Sequence, residues 1–181
     1  MLVISKGNHI VGSNHKAHVL VKNNLDKSVK NEDMVKEISK LRNIFEEASD
    51  HYDGALGFSQ GSQTFQWLLW YQAKGLIDWP VIRNMKFFIN FSADSFKINM
   101  KSLDYKRMSI PSLHFLSEED FLFNRCIISP TLYENPEVIY HSFGHRFPVL
   151  GAVDKNKVRE FLRKNGFGDR KVKGIETESR L

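Results

Sequence analysis

The alternation of apolar and polar positions predicts three helices. Between positions 34 and 48, apolar residues recur at spacings of three and four, which is typical of an amphipathic helix. The same periodicity predicts a second helix that follows Ser59 and stops near Gly75, and a third helix that Asp154 caps and Gly166 ends. The apolar faces of these helices are Met34, Ile38, Leu41, Phe45 and Ala48, then Phe65, Leu68 and Leu69, then Val158, Phe161 and Leu162.

Short apolar runs predict the strands. Residues 85–91 form a run that is typical of a strand buried on both faces of a parallel sheet. Further strands are predicted at 52–58, 111–116 and 138–141, and short β-favouring runs lie at 1–4, 10–11 and 18–21. Because strands alternate with helices, we expect an α/β fold whose functional residues lie at the carboxyl ends of a largely parallel sheet.

Composition restricts the class of protein without selecting a function. The 181 residues are 41% hydrophobic and 26% charged, as expected of a globular chain of about one domain. No apolar run approaches the roughly 18 residues of a membrane span. The single cysteine and the absence of a signal-like start predict a cytoplasmic or nuclear location. The net charge of +5 is spread out except near Arg170, Lys171 and Lys173, so we expect solvated tail charges and no nucleic-acid partner.

A candidate nucleophile follows the first of the longer predicted strands. Ser59 is the central residue of a G-x-S-x-G pattern, placed between a strand and a helix. A sharp turn there lifts the hydroxyl clear of the sheet, and glycines at Gly57 and Gly61 avoid the collisions that side chains would make. The N–H of Gln60 begins the helix and points at a developing oxyanion. The alternative is a glycine-rich turn that only packs or holds an anion.

An acid and a histidine follow two later strands. Asp120 ends an acidic stretch in which Glu118–Glu119 are local competitors, and a carboxylate there can orient a histidine. His145 lies in the loop after the last strand and can act as general base and then general acid, with His141 as its rival. The order serine, acid, histidine is that of α/β-hydrolases and differs from those of chymotrypsin-like and subtilisin-like enzymes. The order therefore favours a catalytic triad with Ser59.

These segments resemble a known family. Residues 52–61 resemble the nucleophile segment of the FSH serine hydrolases, which belong to the α/β-hydrolase superfamily and include an ovarian-cancer-associated esterase. Residues 110–114 with Asp120 resemble its acid segment, and residues 141–148 resemble its histidine segment, where a second glycine is more usual than Phe143. Acyl-protein thioesterases share the residues around Ser59, but the histidine segment favours FSH.

The resemblance implies both a fold and an activity. Residues 31–168 would form an α/β-hydrolase-like three-layer sandwich around a mostly parallel central sheet, followed by a basic and polar tail at 169–181. Ser59 would be the nucleophile, Asp120 the acid and His145 the base of a carboxylic-ester hydrolase that forms an acyl-enzyme. The implied substrate is a small-molecule ester or thioester with an acyl chain. No metal or organic cofactor is implied.

The first 30 residues depart from the family. Its members begin with a strand and a Leu-His-Gly loop that supplies a second oxyanion donor, whereas residues 1–30 contain no His-Gly pair and are too few for the usual segment. The nearest glycine turn, residues 6–9, has no sequence feature that ties it to the site. We therefore expect a fold that lacks its first strand or strands and has an open sheet edge. The alternative function is a weak or inactive relative that binds a ligand or a partner.

Three other groups of residues are explained better by packing than by chemistry. Cys126 has apolar neighbours, which predicts a buried structural thiol. The histidines at positions 9, 15 and 18 have no acid or cysteine partner at ligand spacing, so no metal site is predicted. An aromatic group around the second helix predicts core packing, with an apolar wall for an acyl chain as the alternative. Its members are Trp67, Trp70, Tyr71 and Trp79.

Overall fold

The computed structural model describes residues 2–6, 9–11, 42, 52–95 and 107–167. The strands in these ranges are β1 (Leu2–Lys6), β2 (His9–Val11), β3 (Gly54–Phe58), β4 (Phe87–Phe91), β5 (Ser112–Leu116) and β6 (Pro136–Tyr140). The helices are α1 (Gln60–Ala73), α2 (Pro80–Arg83), α3 (Phe123–Cys126) and α4 (Ala152–Lys164), and a 3₁₀ helix spans Ser129–Leu132. No helix within these ranges is long and apolar enough to cross a membrane.

The strands form one sheet in the order β2-β1-β3-β4-β5-β6. The four strands from β3 to β6 are parallel, with Ala55 beside Phe88 and Ile89 beside Leu113 in the register. Every residue of β4 and β5 is buried, as expected of strands that are covered on both faces, and their polar residues Asn90, Ser112 and His114 have hydrogen-bond partners. The α/β fold and the largely parallel sheet are therefore confirmed, and the carboxyl ends of four neighbouring strands lie along one edge.

The N-terminal strands extend the sheet beyond β3. β1 pairs with β3 in the antiparallel direction, with Leu2 beside Gly57 and Ser5 beside Gly54, and β2 pairs with β1. Backbone pairing with β1 therefore satisfies the side of β3 that faces away from β4. Ser5 lies beside Gly54 at the amino end of β3, and the next residue, Lys6, pairs with His9, so this pair lies at the opposite edge of the sheet from Ser59.

Helices cover both faces of the sheet because side chains alternate along the strands. Phe88 points to one face, where its ring centroid lies 5.0 Å from that of Phe65 in α1. Phe87 points to the other face and meets Phe161 of α4 edge-on at 6.1 Å. All four of these rings are buried. The arrangement is a three-layer sandwich with a separate apolar core on each side of the sheet.

The two long helices, α1 and α4, end near the glycines that the sequence predicts as their C-terminal stops. Gly75 and Gly166 follow α1 and α4 with φ of +68° and +75°, a left-handed conformation that glycine adopts without strain. The prediction that Asp154 caps α4 is wrong, because Gly151 is the N-cap. Asp154 lies in the first turn, where its negative charge interacts favourably with the helix dipole. The predicted helix at 34–48 and the run at 18–21 lie outside the described residues, except for the helical Arg42.

A buried polar cluster lies between the sheet and α1. The Asn90 side-chain amide donates to the Ser129 hydroxyl at 2.6 Å and lies 3.2 Å from His114 Nδ1. His114 Nε2 lies 3.0 Å from the Ser112 hydroxyl. Burial lowers the pKa of His114 to about 3, so its ring is neutral at physiological pH.

The buried His114 should make the protein less stable as the pH falls. The pKa of His114 is about 3 in the folded chain, below the ordinary value of 6.5. Between pH 3 and pH 6.5 the His114 ring is therefore protonated in the unfolded chain and neutral in the folded chain. The free energy of unfolding should therefore fall below pH 6.5 with a slope approaching about 1.4 kcal/mol per pH unit from this group. Urea unfolding at pH 7.5, 6.0 and 5.0 measures the slope, which His114→Gln should flatten. Ring resonances of wild-type His114 that titrate near pH 6.5 would contradict the prediction.

Candidate active site

The turn between β3 and α1 places Ser59 in a strained conformation. Its φ of 52° and ψ of −118° are unusual for a residue with a side chain. Two backbone hydrogen bonds hold it there, from Ser59 N–H to the Phe91 carbonyl at 2.8 Å and from Gln63 N–H to the Ser59 carbonyl at 3.0 Å. A Cβ at Gly57 would lie 2.6 Å from the Cα and N of Ser62. The turn therefore leaves no room for a side chain at position 57.

The structure brings together the three residues predicted from the sequence. His145 Nε2 lies 3.0 Å from Ser59 Oγ, and His145 Nδ1 lies 2.8 Å from Asp120 Oδ2. The side chain of Asp120 is 1% exposed and that of His145 is 19% exposed, so the acid is shielded from water while the histidine is partly accessible. The competing Glu118–Glu119 are exposed, and His141 Nδ1 accepts a hydrogen bond from the Phe143 N–H instead.

The surroundings of Asp120 keep its carboxylate ionised. Burial by itself raises the pKa of Asp120, but hydrogen bonds from the Leu122 N–H, from His145 and from Ser92 outweigh it and hold the pKa below its ordinary value. The Leu122 N–H donates to Oδ1 at 2.8 Å, which leaves Oδ2 for His145. An ionised carboxylate at Nδ1 keeps the ring proton on that nitrogen, so Nε2 is free to accept a proton from Ser59.

The histidine loop is fixed to the acid loop through Ser117. Its buried hydroxyl accepts hydrogen bonds from the Gly144 N–H at 3.1 Å and from the Glu119 N–H at 3.3 Å. Gly144 has a φ of +61°, and a Cβ there would lie 3.4 Å from the Glu119 carbonyl oxygen. Glycine at 144 therefore allows the tight backbone beside His145 that the sequence predicted.

The start of α1 offers backbone donors to an oxyanion. Gln60 is the first residue of α1, and Gly61 follows it in the first turn, where N–H groups have no acceptor within the helix. On the other side of Ser59, the strand beside β3 is the antiparallel β1, whose first residue, Leu2, lies beside Gly57. No parallel strand with a following loop lies directly beside β3 on that side within the described residues.

Phenylalanine side chains surround His145, and sequence reasoning did not identify them. The His145 ring centroid lies 5.0 Å from that of Phe58 and 4.9 Å from that of Phe121. Phe147 packs on Phe58 at 4.8 Å, and the Phe121 side chain is 80% exposed. Phe58 directly precedes Ser59 in the sequence, and Phe121 directly follows Asp120. This proximity to candidate site residues is the sequence signal that could have identified them.

The other residues considered from the sequence lie away from this chemistry. Trp79 is part of the core under α1, and Trp67 and Trp70 pack against that core, which confirms core packing for the tryptophans. Cys126 is buried, and burial raises the pKa of its thiol to about 12, as expected of a structural cysteine. Of the three N-terminal histidines, the described residues include His9 alone, and they contain no group of three potential metal ligands.

Comparison with known proteins identifies the family. A family model described as serine hydrolase (FSH1) matches residues 10–156, which include Ser59, Asp120 and His145. The chain belongs to this family. The resemblance of residues 52–61, and of the acid and histidine segments, to FSH serine hydrolases is thereby confirmed. No curated protein matches this FSH1-family chain significantly.

Solved structures similar to this FSH1-family chain include a carboxylesterase from Bacillus cereus. That protein is 15% identical, with a TM-score of 0.52 over 75% of this chain and 63% of the other. YahD with malic acid is 15% identical, with a TM-score of 0.49 over 75% and 65% of the two chains. Atu2452 from Agrobacterium tumefaciens is 16% identical, with a TM-score of 0.48 over 76% and 65%. The chain spans 63% of the carboxylesterase, and this likeness confirms the α/β-hydrolase fold.

Proposed function

We propose that this FSH1-family protein hydrolyses carboxylic esters through an acyl-enzyme on Ser59. The observation that carries the proposal is the hydrogen-bonded series from Asp120 through His145 to Ser59. His145 Nε2 takes the hydroxyl proton while Ser59 Oγ attacks the ester carbonyl carbon, and the N–H of Gln60 donates to the resulting oxyanion. His145 then gives the proton to the leaving alcohol. A water molecule activated by His145 releases the acid and restores Ser59.

The surroundings of His145 support an ester or thioester with an apolar group. Phe58, Phe121 and Phe147 present aromatic surface beside the histidine, and Phe121 and Phe147 are exposed. Burial of such surface against an acyl chain is favourable by about 25 cal/mol per Å² of apolar area. An acyl ester therefore suits this site better than a small charged ester.

A weak or inactive relative is the second candidate, and one observation favours it. The strand beside β3 on the side away from β4 is the antiparallel β1, whereas the family resemblance implies an N-terminal strand that is followed by an oxyanion loop. Loss of one oxyanion donor typically lowers kcat by about a hundred- to a thousandfold. Such a protein would still bind an ester, or a partner, at the same site.

Labelling with a fluorophosphonate probe tests the proposal without knowledge of the substrate. The probe phosphonylates an activated serine, so mass spectrometry of the digested wild-type protein should locate the adduct on Ser59. Ser142→Ala is the matched control, because Ser142 is an exposed serine in the histidine loop and its removal should leave labelling unchanged. A folded wild-type protein that acquires no adduct would overturn the proposal and favour the binding protein.

A further inference from the structure

One residue of β4 holds the turn at Ser59 from two sides. The Phe91 carbonyl accepts the Ser59 N–H at 2.8 Å, and the Phe91 N–H donates to the Ser62 hydroxyl at 3.2 Å. Phe91 is the last residue of β4 and lies beside Phe58, the last residue of β3. The two bonds therefore fix both the turn after β3 and the beginning of α1 to the neighbouring strand.

The Ser62 side chain is enclosed between α1 and the sheet. Ser62 is the third residue of α1 and is fully buried. A Cβ at Gly57 would lie 2.9 Å from Ser62 Oγ, so the hydroxyl occupies space that is open because position 57 is glycine. Alanine has a higher helix propensity than serine, so helix formation does not account for a serine here. The hydroxyl supplies what alanine lacks, an acceptor for the N–H of a residue 29 positions later.

The backbone donor proposed for the oxyanion lies between these two anchors. Gln60 directly follows Ser59 and comes two residues before Ser62. Its N–H belongs to the first turn of α1, where no hydrogen bond within the helix fixes the direction of an N–H group. The direction of the Gln60 N–H therefore depends on how firmly the backbone is held on either side, at Ser59 and at Ser62.

We propose that Ser62 is a positioning residue, whose hydroxyl holds the beginning of α1 so that the Gln60 N–H points at the developing oxyanion. This inference rests on the proposed function, because the oxyanion forms only if Ser59 attacks an ester. An oxyanion donor is effective when it is already aimed at the place where charge develops, and a displacement of about 1 Å lowers a rate by about a hundredfold. Without the bond to Phe91, we expect the first turn of α1 to shift relative to β4.

Ser62→Ala tests the hydroxyl, because it removes the acceptor and adds no atom at a crowded position. Its kcat for p-nitrophenyl butyrate should fall by about ten- to a hundredfold, with KM nearly unchanged. Butylboronic acid bonds through boron to an activated serine and forms a tetrahedral adduct that resembles the transition state. Its inhibition constant should therefore rise by a factor similar to the loss of kcat. A lower kcat with an unchanged inhibition constant would overturn the role proposed for Ser62.

Ser112→Ala is the matched control for a buried serine. Ser112 is also fully buried and its hydroxyl lies 3.0 Å from His114 Nε2, but it is the first residue of β5, at the opposite edge of the sheet from Ser59. Both variants should melt about 2–4 °C below wild type, whereas Ser112→Ala should keep its kcat within about twofold of wild type. Equal losses of kcat in the two variants would mean that general destabilisation explains them, and the positioning role would be wrong.

The outcomes distinguish this inference from the proposed function. If wild type hydrolyses the ester and Ser62→Ala does so at the same rate, the positioning role is overturned and the proposed function stands. If wild type neither hydrolyses the ester nor labels with the fluorophosphonate, the proposed function fails, and the NMR resonance of the Gln60 backbone amide tests Ser62 instead. A shift or broadening of that resonance in Ser62→Ala but not in Ser112→Ala supports the positioning role, and any other result overturns it.

Discussion

Asp120→Asn should lower kcat for ester hydrolysis by about 10⁴-fold and leave the fold intact. The carboxylate accepts the His145 Nδ1–H at 2.8 Å, which keeps Nε2 unprotonated and 3.0 Å from Ser59 Oγ. An asparagine that turns its amide NH₂ toward Nδ1 favours the opposite tautomer of the ring. Nε2 then carries the proton and cannot accept one from Ser59. Steady-state kinetics with p-nitrophenyl butyrate measure the loss, and KM should change little because Asp120 is buried away from substrate.

Glu118→Gln is the matched control for this variant. It removes the same charge two residues earlier in the same loop, from a side chain that is exposed. Its kcat should stay within about twofold of wild type, because an exposed charge is largely screened by water. Equal losses in the two variants would mean that overall charge, and not the position of Asp120, controls the activity.

The sequence was sufficient to predict the residues that meet at the site. Ser59, Asp120 and His145 each follow a strand, and the carboxyl ends of parallel strands lie along the same edge of the sheet. Local patterns identified those strands, because each contains a short run of apolar and β-favouring residues next to turn-forming residues. The prediction that these three side chains lie together therefore required only the order of the residues and the assumption of a parallel sheet.

The features that were missed depend on contacts between distant segments. The antiparallel direction of β1 is set by pairing with β3 about 50 residues later, and the short β-favouring run at 1–4 carries no information about its partner. Asp154 was misassigned because an acid is favourable both at an N-cap and in the first turn.

Gly57→Ala should damage both the stability and the reactivity of Ser59. The added Cβ would lie 2.6 Å from the Cα and N of Ser62, which are backbone atoms of α1 and cannot rotate away. To reach an ordinary contact, α1 must move by nearly 1 Å, which strains the hydrogen bond from the Phe91 N–H to the Ser62 hydroxyl at 3.2 Å. Phe65 of α1 is fully buried and resists the shift.

The expected cost of this substitution is about 3 kcal/mol, which corresponds to a melting temperature lower by about 6–12 °C. Because Ser59 moves with the start of α1, its fluorophosphonate labelling should slow by about a hundredfold. Gly151→Ala is the control: Gly151 has a φ of −70° and no neighbour within 4 Å of the added Cβ, so its loss should stay near 1 kcal/mol or below. A Gly57→Ala protein that melts and labels like wild type would show that the turn tolerates a side chain there, and the steric reason for glycine at position 57 would be wrong.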